Sequence, residues 1–129
     1  MKKSVQIRLL IFEILIEIYK KGSNFENSYK HITKFKKISN SDRALIHNVC
    51  LNSIRLQFHI KKILNKYLKK KAKTKQYILL LCSVTQLVYL NFKDYAVIDD
   101  TVEIAKKSGI YPGLINAVLK NISLNKKKL

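Results

Sequence analysis

Few side chains in this sequence could do catalytic or metal chemistry, and they are scattered. The 129 residues include three histidines and two cysteines. His31, His47 and His59 have no carboxylate or thiolate partner at ligand spacing, and Cys50 and Cys82 form no CxxC pair. No Ser-His-Asp order, P-loop or glycine-rich dinucleotide turn occurs. We therefore expect no catalytic residue, no metal site and no cofactor.

Positive charge is the main chemical feature of the chain. Lys and Arg number 26 against 8 Asp and Glu, which gives a net charge of +18. Such an excess predicts a polyanionic partner, either nucleic acid or an anionic membrane. Most of the basic residues are lysines, and Lys, Ile and Asn are all abundant, as they are in AT-rich coding. Genome composition can therefore account for part of the charge.

Two basic clusters are the candidate phosphate contacts. We expect RNA contacts from the start of the first helix and from a basic turn later in the chain, that is, from Lys2, Lys3 and Arg8 and from Lys69, Lys70, Lys71 and Lys73. The alternative for each cluster is a solvated surface. Tyr19, Tyr67 and Tyr77 can either stack on bases or pack in the core with the hydroxyl at its rim.

One stretch must organise the fold that positions these clusters. Residues 75–92 are apolar on every face, so a helix here must be surrounded by other helices or by lipid. Ser83, Thr85 and Gln86 interrupt the run, which is also shorter than the ~20 apolar residues needed to span a bilayer. The sequence therefore predicts a buried central helix in a small all-α domain.

Amphipathic spacing predicts the helices around it. They are expected at 5–21, 24–35, 41–67 with a bend near Gln57 or His59, 95–107, and 113–124. Ser4 is the expected N-cap of the first helix, and Ser41 or Asp42 that of the third. No strand-like alternation occurs. We expect one domain over residues 1–129, with its core at about 4–124 and a basic tail at 125–129, in which Lys126, Lys127 and Lys128 are frayed.

Four polar residues are expected to be structural. Asp42 and Arg43 are read as an N-cap and an internal ion pair. Gln86 and Asn116 are polar residues within apolar helices, so we expect buried hydrogen bonds from both, with Asn116 tying the last helix to the first. Asp99, Asp100 and Glu103 are expected on the outer face of their helix.

Four sequence blocks resemble one family, in the right order. They are S-D-R-A-L at 41–45, T-Q-L-V-Y-L at 85–90, Y-A-V-I-D-D-T-V-E-I-A-K at 95–106 and G-L-I-N-A-V-L-K at 113–120. Together they resemble NusB-like domains. The resemblance covers about residues 4–124 and implies a helical bundle of about seven helices that binds RNA.

The family has two branches, and the resemblance is closer to one of them. Gly113, Lys120 and Arg55 match the N-terminal domain of RsmB-type ribosomal RNA cytosine-5 methyltransferases better than the antitermination factor NusB. The antitermination branch implies binding to a ribosomal leader RNA with a small ribosomal protein and RNA polymerase. The methyltransferase branch implies positioning of ribosomal RNA for a catalytic domain.

That catalytic domain has no counterpart in this sequence. It would require a doubly wound α/β domain, a loop for S-adenosylmethionine and two active-site cysteines. We therefore expect a stand-alone, non-catalytic, cytoplasmic RNA-binding domain of the NusB/RsmB type. The alternatives are a fragment of an rRNA methyltransferase, a protein-interaction module whose charge reflects genome composition, and a domain that rests on an anionic membrane.

Overall fold

The computed structural model describes all 129 residues and contains only helices. The seven α-helices are α1 (Lys3–Lys21), α2 (Phe25–Ile32), α3 (Asn40–Arg55), α4 (Gln57–Tyr67), α5 (Thr74–Val84), α6 (Asp94–Lys107) and α7 (Pro112–Asn125). A π-helical turn, Thr85–Tyr89, continues α5, and a 3₁₀ turn, Lys126–Lys128, follows α7. The predicted all-α bundle of about seven helices is confirmed.

The predicted central helix lies in the middle of the bundle. Every residue from Ile78 to Leu87 is buried, and α1, α3, α4, α6 and α7 all pack against α5. Apolar residues from all seven helices join one cluster of 31 buried side chains. The all-round apolar surface of α5 is thus covered by protein, as expected. No helix of the chain is both long enough and apolar enough to cross a bilayer.

The predicted N-caps of α1 and α3 were wrong. α1 begins at Lys3, so Ser4 lies inside its first turn, and Lys2 is the N-cap without a side-chain hydrogen bond. Ser39 caps α3, since its hydroxyl accepts a hydrogen bond from the Asp42 amide at 3.1 Å. Ser41 and Asp42 therefore lie within the first turn of α3, where the carboxylate still favours the helix dipole.

The bend predicted near Gln57 or His59 falls one residue earlier, at Leu56, which separates α3 from α4. α2 is shorter than expected because Thr33 ends it. The Thr33 hydroxyl donates to the Tyr29 carbonyl at 2.6 Å, and the chain then turns away. Residues 33–39 therefore form a loop rather than the last turn of α2.

Two pairs of buried hydroxyls connect the central helix to its neighbours. Ser53 of α3 donates to the Thr85 hydroxyl at 2.9 Å, and the hydroxyls of Ser83 and Thr101 lie 3.0 Å apart. Thr85 also donates to the Leu81 carbonyl. These polar atoms have partners within the core, so their burial carries little desolvation cost.

The first residue of the tail predicted to fray, Lys126, is held to the bundle. α7 extends to Asn125. The Lys126 ammonium lies 2.6 Å from a carboxylate oxygen of Asp94, and the Ser123 hydroxyl donates to the other oxygen. Asp94 thus joins the start of α6 to the end of α7.

This junction predicts a pH dependence of stability. Burial raises the pKa of Asp94, but the hydrogen bonds from Lys126 and Ser123 outweigh burial and hold the pKa below its ordinary value of 3.8. A carboxyl whose pKa falls on folding contributes stability above its unfolded pKa, and that contribution is lost as the pH drops through the folded value. Asp94→Asn should therefore be less stable than wild type at pH 6, and the difference should shrink below pH 4.

Urea titrations of both proteins from pH 6 to pH 2 check this prediction. Asp99→Asn is the matched control, because Asp99 is exposed and has no ion pair in the structure. A difference between wild type and Asp94→Asn that stays constant down to pH 2 would contradict the assignment.

Candidate nucleic-acid interface

The loop between α4 and α5 carries four exposed lysines within six residues. We call residues 68–73 the lysine loop. It borders a groove of about 1050 Å³ that also includes the end of α1 and the start of α7. Six lysines line this groove, namely Lys20, Lys69, Lys70, Lys71, Lys73 and Lys75, and no Asp or Glu does. The structure thus brings the lysines of the predicted basic turn, which ends at Lys75, together with Lys20, which was not predicted as an RNA contact.

The other side of the lysine loop forms a second groove, against α4. It measures about 640 Å³ and again has no acidic residue in its lining. Lys61 adds a further ammonium group here, and Phe58 and Tyr77 add aromatic rings. Phe58 continues the apolar spacing of its helix, but its side chain is 74% exposed. The helix turns this ring outward because Ile60, Ile63 and Leu64 occupy the buried face of α4.

A second exposed ring, that of Tyr111, lies in the first groove and is 72% exposed. The ring rests against Gly113, where an added Cβ would come within 2.9 Å of it. A side chain at Gly113 would therefore displace the Tyr111 ring from this position. Exposed aromatic rings beside lysines are the arrangement with which proteins hold unpaired bases and phosphates together.

The three tyrosines predicted as possible stacking residues are only partly exposed. The Tyr19 hydroxyl donates to the Gln57 side chain at 3.0 Å. Burial, with Tyr77 nearby, raises the pKa of Tyr19 to about 12. Burial also raises the pKa of Tyr77. Tyr19 therefore serves the α1–α4 contact, whereas Tyr67 and Tyr77 lie at the edges of the grooves.

The three predicted contacts at the start of α1 do not share one environment. Lys2 and Lys3 extend into solvent and reach acidic side chains only at 3.6 and 3.4 Å. Arg8 points inward, with 14% of its side chain exposed, and lies 2.7 Å from Asp100. We therefore keep Lys2 and Lys3 as proposed phosphate contacts and assign Arg8 to the fold instead.

Arg8 is the centre of a buried polar network. Its Nη1 donates to Asp100 and its Nε to the Gln86 side chain, both at 2.7 Å. Gln86 lies in the π-helical turn, and its Nε2 donates to the Cys82 carbonyl at 3.0 Å. Gln86 is buried, whereas the outward placement of Asp100 was wrong, since its side chain is 2% exposed. The network joins α1, the end of α5 and α6.

The other structural predictions need correction. Asp42 and Arg43 do not pair with each other: Asp42 lies 3.4 Å from Lys3, and Arg43 lies 3.0 Å from Glu26 of α2 at the surface. Asn116 is only half-buried and makes no side-chain hydrogen bond. It faces the shallow groove between α6 and α7 rather than α1, because Ile115, Val118 and Leu119 take the buried face of α7.

Neither cysteine is a good nucleophile in this fold. Cys50 and Cys82 are both free and buried. Burial raises the pKa of both thiols, that of Cys82 to about 12. No group of three or more His, Cys, Asp or Glu side chains is placed so that it could hold a metal ion.

Sequence reasoning could have found most of the basic surface. No Asp or Glu occurs between Asp42 and Asp94, while the same stretch holds eleven lysines and arginines. That gap predicts an acid-free surface around α4 and α5. By contrast, only the tertiary structure brings Lys20 and Tyr111 beside the lysine loop.

Two curated proteins that are similar in sequence to this chain carry the same name. Ribosomal RNA small subunit methyltransferase B of Cronobacter sakazakii is 27% identical to this chain, and that of Klebsiella pneumoniae is 26% identical. Both matches cover the whole chain but only 31% of the relative. The chain thus spans about a third of the length of these curated relatives.

Solved structures resemble the fold closely. A crystal structure of antitermination factors NusB and NusE in complex with dsRNA matches 96% of this chain and 98% of its own, with a TM-score of 0.83 and 22% identity. A structure described as a plectonemic RNA supercoil matches 95% of this chain with the same TM-score and 23% identity. The NusB family model matches residues 5–124. Since that match includes nearly the whole sequence, the chain belongs to the NusB family.

Proposed function

We propose that this chain is a non-catalytic RNA-binding domain that binds ribosomal RNA or its leader. The observation that carries the proposal is the acid-free groove beside the lysine loop, where six lysines converge next to the exposed ring of Tyr111. Lysines neutralise phosphates and release counterions, and the ring stacks on an unpaired base. The exposed lysines at the start of α1 extend the contact. The domain spans residues 1–129, with its core at about 4–124 and a basic tail at 125–129.

The family supports this proposal in two ways. The curated relatives act on ribosomal RNA of the small subunit by name, and a fold neighbour has been crystallised with NusE and dsRNA. We infer a ribosomal transcript as the ligand. In an antitermination role, the domain would carry leader RNA with a small ribosomal protein to RNA polymerase.

A second function is favoured by the identity of the relatives. Because the curated matches are methyltransferases that the chain covers only in part, the domain can instead position ribosomal RNA for a methyltransferase. In that case the groove should prefer small-subunit ribosomal RNA over leader RNA, and the methyl transfer itself would lie outside the residues described here.

One titration separates these functions. We would measure binding of the chain to ribosomal leader RNA, to a small-subunit rRNA fragment and to a scrambled control, each at 50 and 200 mM salt. Preference for leader RNA supports the antitermination role, and preference for the rRNA fragment supports the positioning role. Equal affinity for all three RNAs would contradict both and indicate charge without a specific RNA partner.

A further inference from the structure

A second basic and aromatic surface lies in the loop between α2 and α3, which the proposed site does not include. Phe35 projects from this loop with 92% of its side chain exposed, more than any other large apolar residue of the chain. Lys34, Lys36 and Lys37 flank it and are also exposed. We call residues 34–37 the KFKK tip. Its chemistry is an exposed apolar ring with three exposed lysines next to it in the sequence.

The ring is held outward by an ordered loop. Thr33 closes the end of α2 through its hydrogen bond to the Tyr29 carbonyl, and the Lys36 amide donates to the Thr33 carbonyl at 2.9 Å. Ser39 then caps α3. Because both ends of the loop are fixed by hydrogen bonds, the loop presents Phe35 at its tip. Lys34 Nζ lies 5.4 Å from the ring centroid, which is within cation–π range.

The KFKK tip does not border the groove beside the lysine loop. Lys36 and Lys37 line a groove with Lys3 at the start of α1, whereas Lys20, near the end of α1, lines the groove beside the lysine loop. At ~1.5 Å per residue, Lys3 and Lys20 are separated by roughly 25 Å along α1. The tip thus lies beside the groove of Lys3, one of the proposed contacts at the start of α1, and shares no residue with the groove beside the lysine loop.

We propose that the KFKK tip is a second RNA contact, in which an unpaired base stacks on Phe35 while Lys34, Lys36 and Lys37 hold the flanking phosphates. The inference rests on the proposed RNA-binding function and adds a site to it. Single-stranded RNA suits the tip because an unstacked base offers a face to the ring, whereas a duplex offers only phosphates there. Two acids line the adjacent groove: Asp42 lies 3.4 Å from Lys3, and Glu13 lies within electrostatic reach of Lys36. We therefore place the contact at the tip itself.

Tryptophan fluorescence gives a direct test. The chain contains no tryptophan, so Phe35→Trp introduces a single reporter. Single-stranded RNA of about 20 nucleotides, long enough to reach both ends of α1, should quench its emission. A duplex of the same length and vesicles of anionic phospholipid should leave it unchanged. Emission that ignores saturating single-stranded RNA would overturn the proposal, and a blue shift on vesicles alone would assign the tip to a membrane surface instead.

An affinity measurement supplies the second test. Phe35→Ala should weaken binding of the same single strand by about 5-fold to 100-fold without changing the salt slope, because no charge is removed. Leu124→Ala is the matched control, since Leu124 is an apolar side chain with 82% exposure elsewhere on the surface. Replacing the three lysines of the tip with alanine should lower the salt slope by about 2.

The outcomes keep this inference separate from the proposed function. Phe35→Ala could bind single-stranded RNA as tightly as wild type while replacement of the four lysines of the lysine loop with alanine weakens binding. In that case the tip has no role and the proposed function stands. If wild type fails to bind any RNA, both fail.

Discussion

Replacing Asp100 with alanine is expected to destabilise the fold by roughly 3–5 kcal/mol, which is the usual cost of leaving one partner of a buried ion pair without the other. Asp100 is almost fully buried and lies 2.7 Å from Arg8, which is itself largely buried. Without the carboxylate, the Arg8 guanidinium would remain in the bundle with only Gln86 as a polar partner. For a chain of this size, such a loss should lower the melting temperature by about 10–20 °C.

Thermal and urea unfolding of Asp100→Ala measure this effect. Asp99→Ala is the control, because Asp99 precedes Asp100 in the same helix but is exposed and unpaired. The double variant Arg8→Met/Asp100→Leu replaces both charged partners with apolar residues. It therefore distinguishes the loss of the ion pair from the loss of one partner alone. Since apolar residues of similar volume can replace a buried ion pair at little cost, the double variant should recover most of the lost stability. If Asp100→Ala were as stable as wild type, the ion pair would contribute nothing to the stability of the fold.

Removing the four charges of the lysine loop is expected to cause the largest loss of RNA affinity. If each lysine neutralises one phosphate of single-stranded RNA, the variant Lys69→Ala/Lys70→Ala/Lys71→Ala/Lys73→Ala should lower the salt slope by about 3. At 0.1 M salt this corresponds to a loss of affinity on the order of 10²–10³-fold. All four side chains are exposed, so the melting temperature should stay the same.

A variant with the same loss of net charge tests whether the position matters. Lys106→Ala/Lys107→Ala/Lys120→Ala/Lys127→Ala also removes four exposed lysines, two of them at the end of α6, the helix that carries Asp99 and Glu103. It should keep most of the affinity and most of the salt slope. Equal losses in the two variants would mean that RNA responds to total charge and that the lysine loop is not a binding site.

The sequence predicts the bundle well because its main signal is local. An apolar stretch from Ile78 to Leu87 with no polar face can only be a central helix, and helical spacing around it predicts the neighbours. The lysine loop is also visible in the sequence, because charge needs no structure to be counted. Those predictions depend on composition and on spacing within a few residues.

Predictions about charged and polar residues within helices were less accurate, because their placement depends on distant partners. Arg8 and Asp100 are 92 positions apart. Helical spacing alone therefore assigns each of them to the solvent-exposed face of its own helix. Phe58 and Asn116 show the same limit, since each stands on an apolar stripe that is wider than the buried face. A side chain at the edge of such a stripe is buried or exposed according to the tilt of its helix, which the sequence does not specify.

The two hydroxyl pairs of the core have a consequence for how the bundle assembles. A helix that is apolar on every face has no preferred rotation about its own axis, because many rotated arrangements would bury it equally well. Ser83 and Thr85 meet Thr101 and Ser53 on two different neighbouring helices, and any rotation would separate both pairs inside a dry interior. The two hydroxyl pairs therefore fix one rotation of the central helix about its axis. The surface lysines on the surrounding helices are then held in a single arrangement.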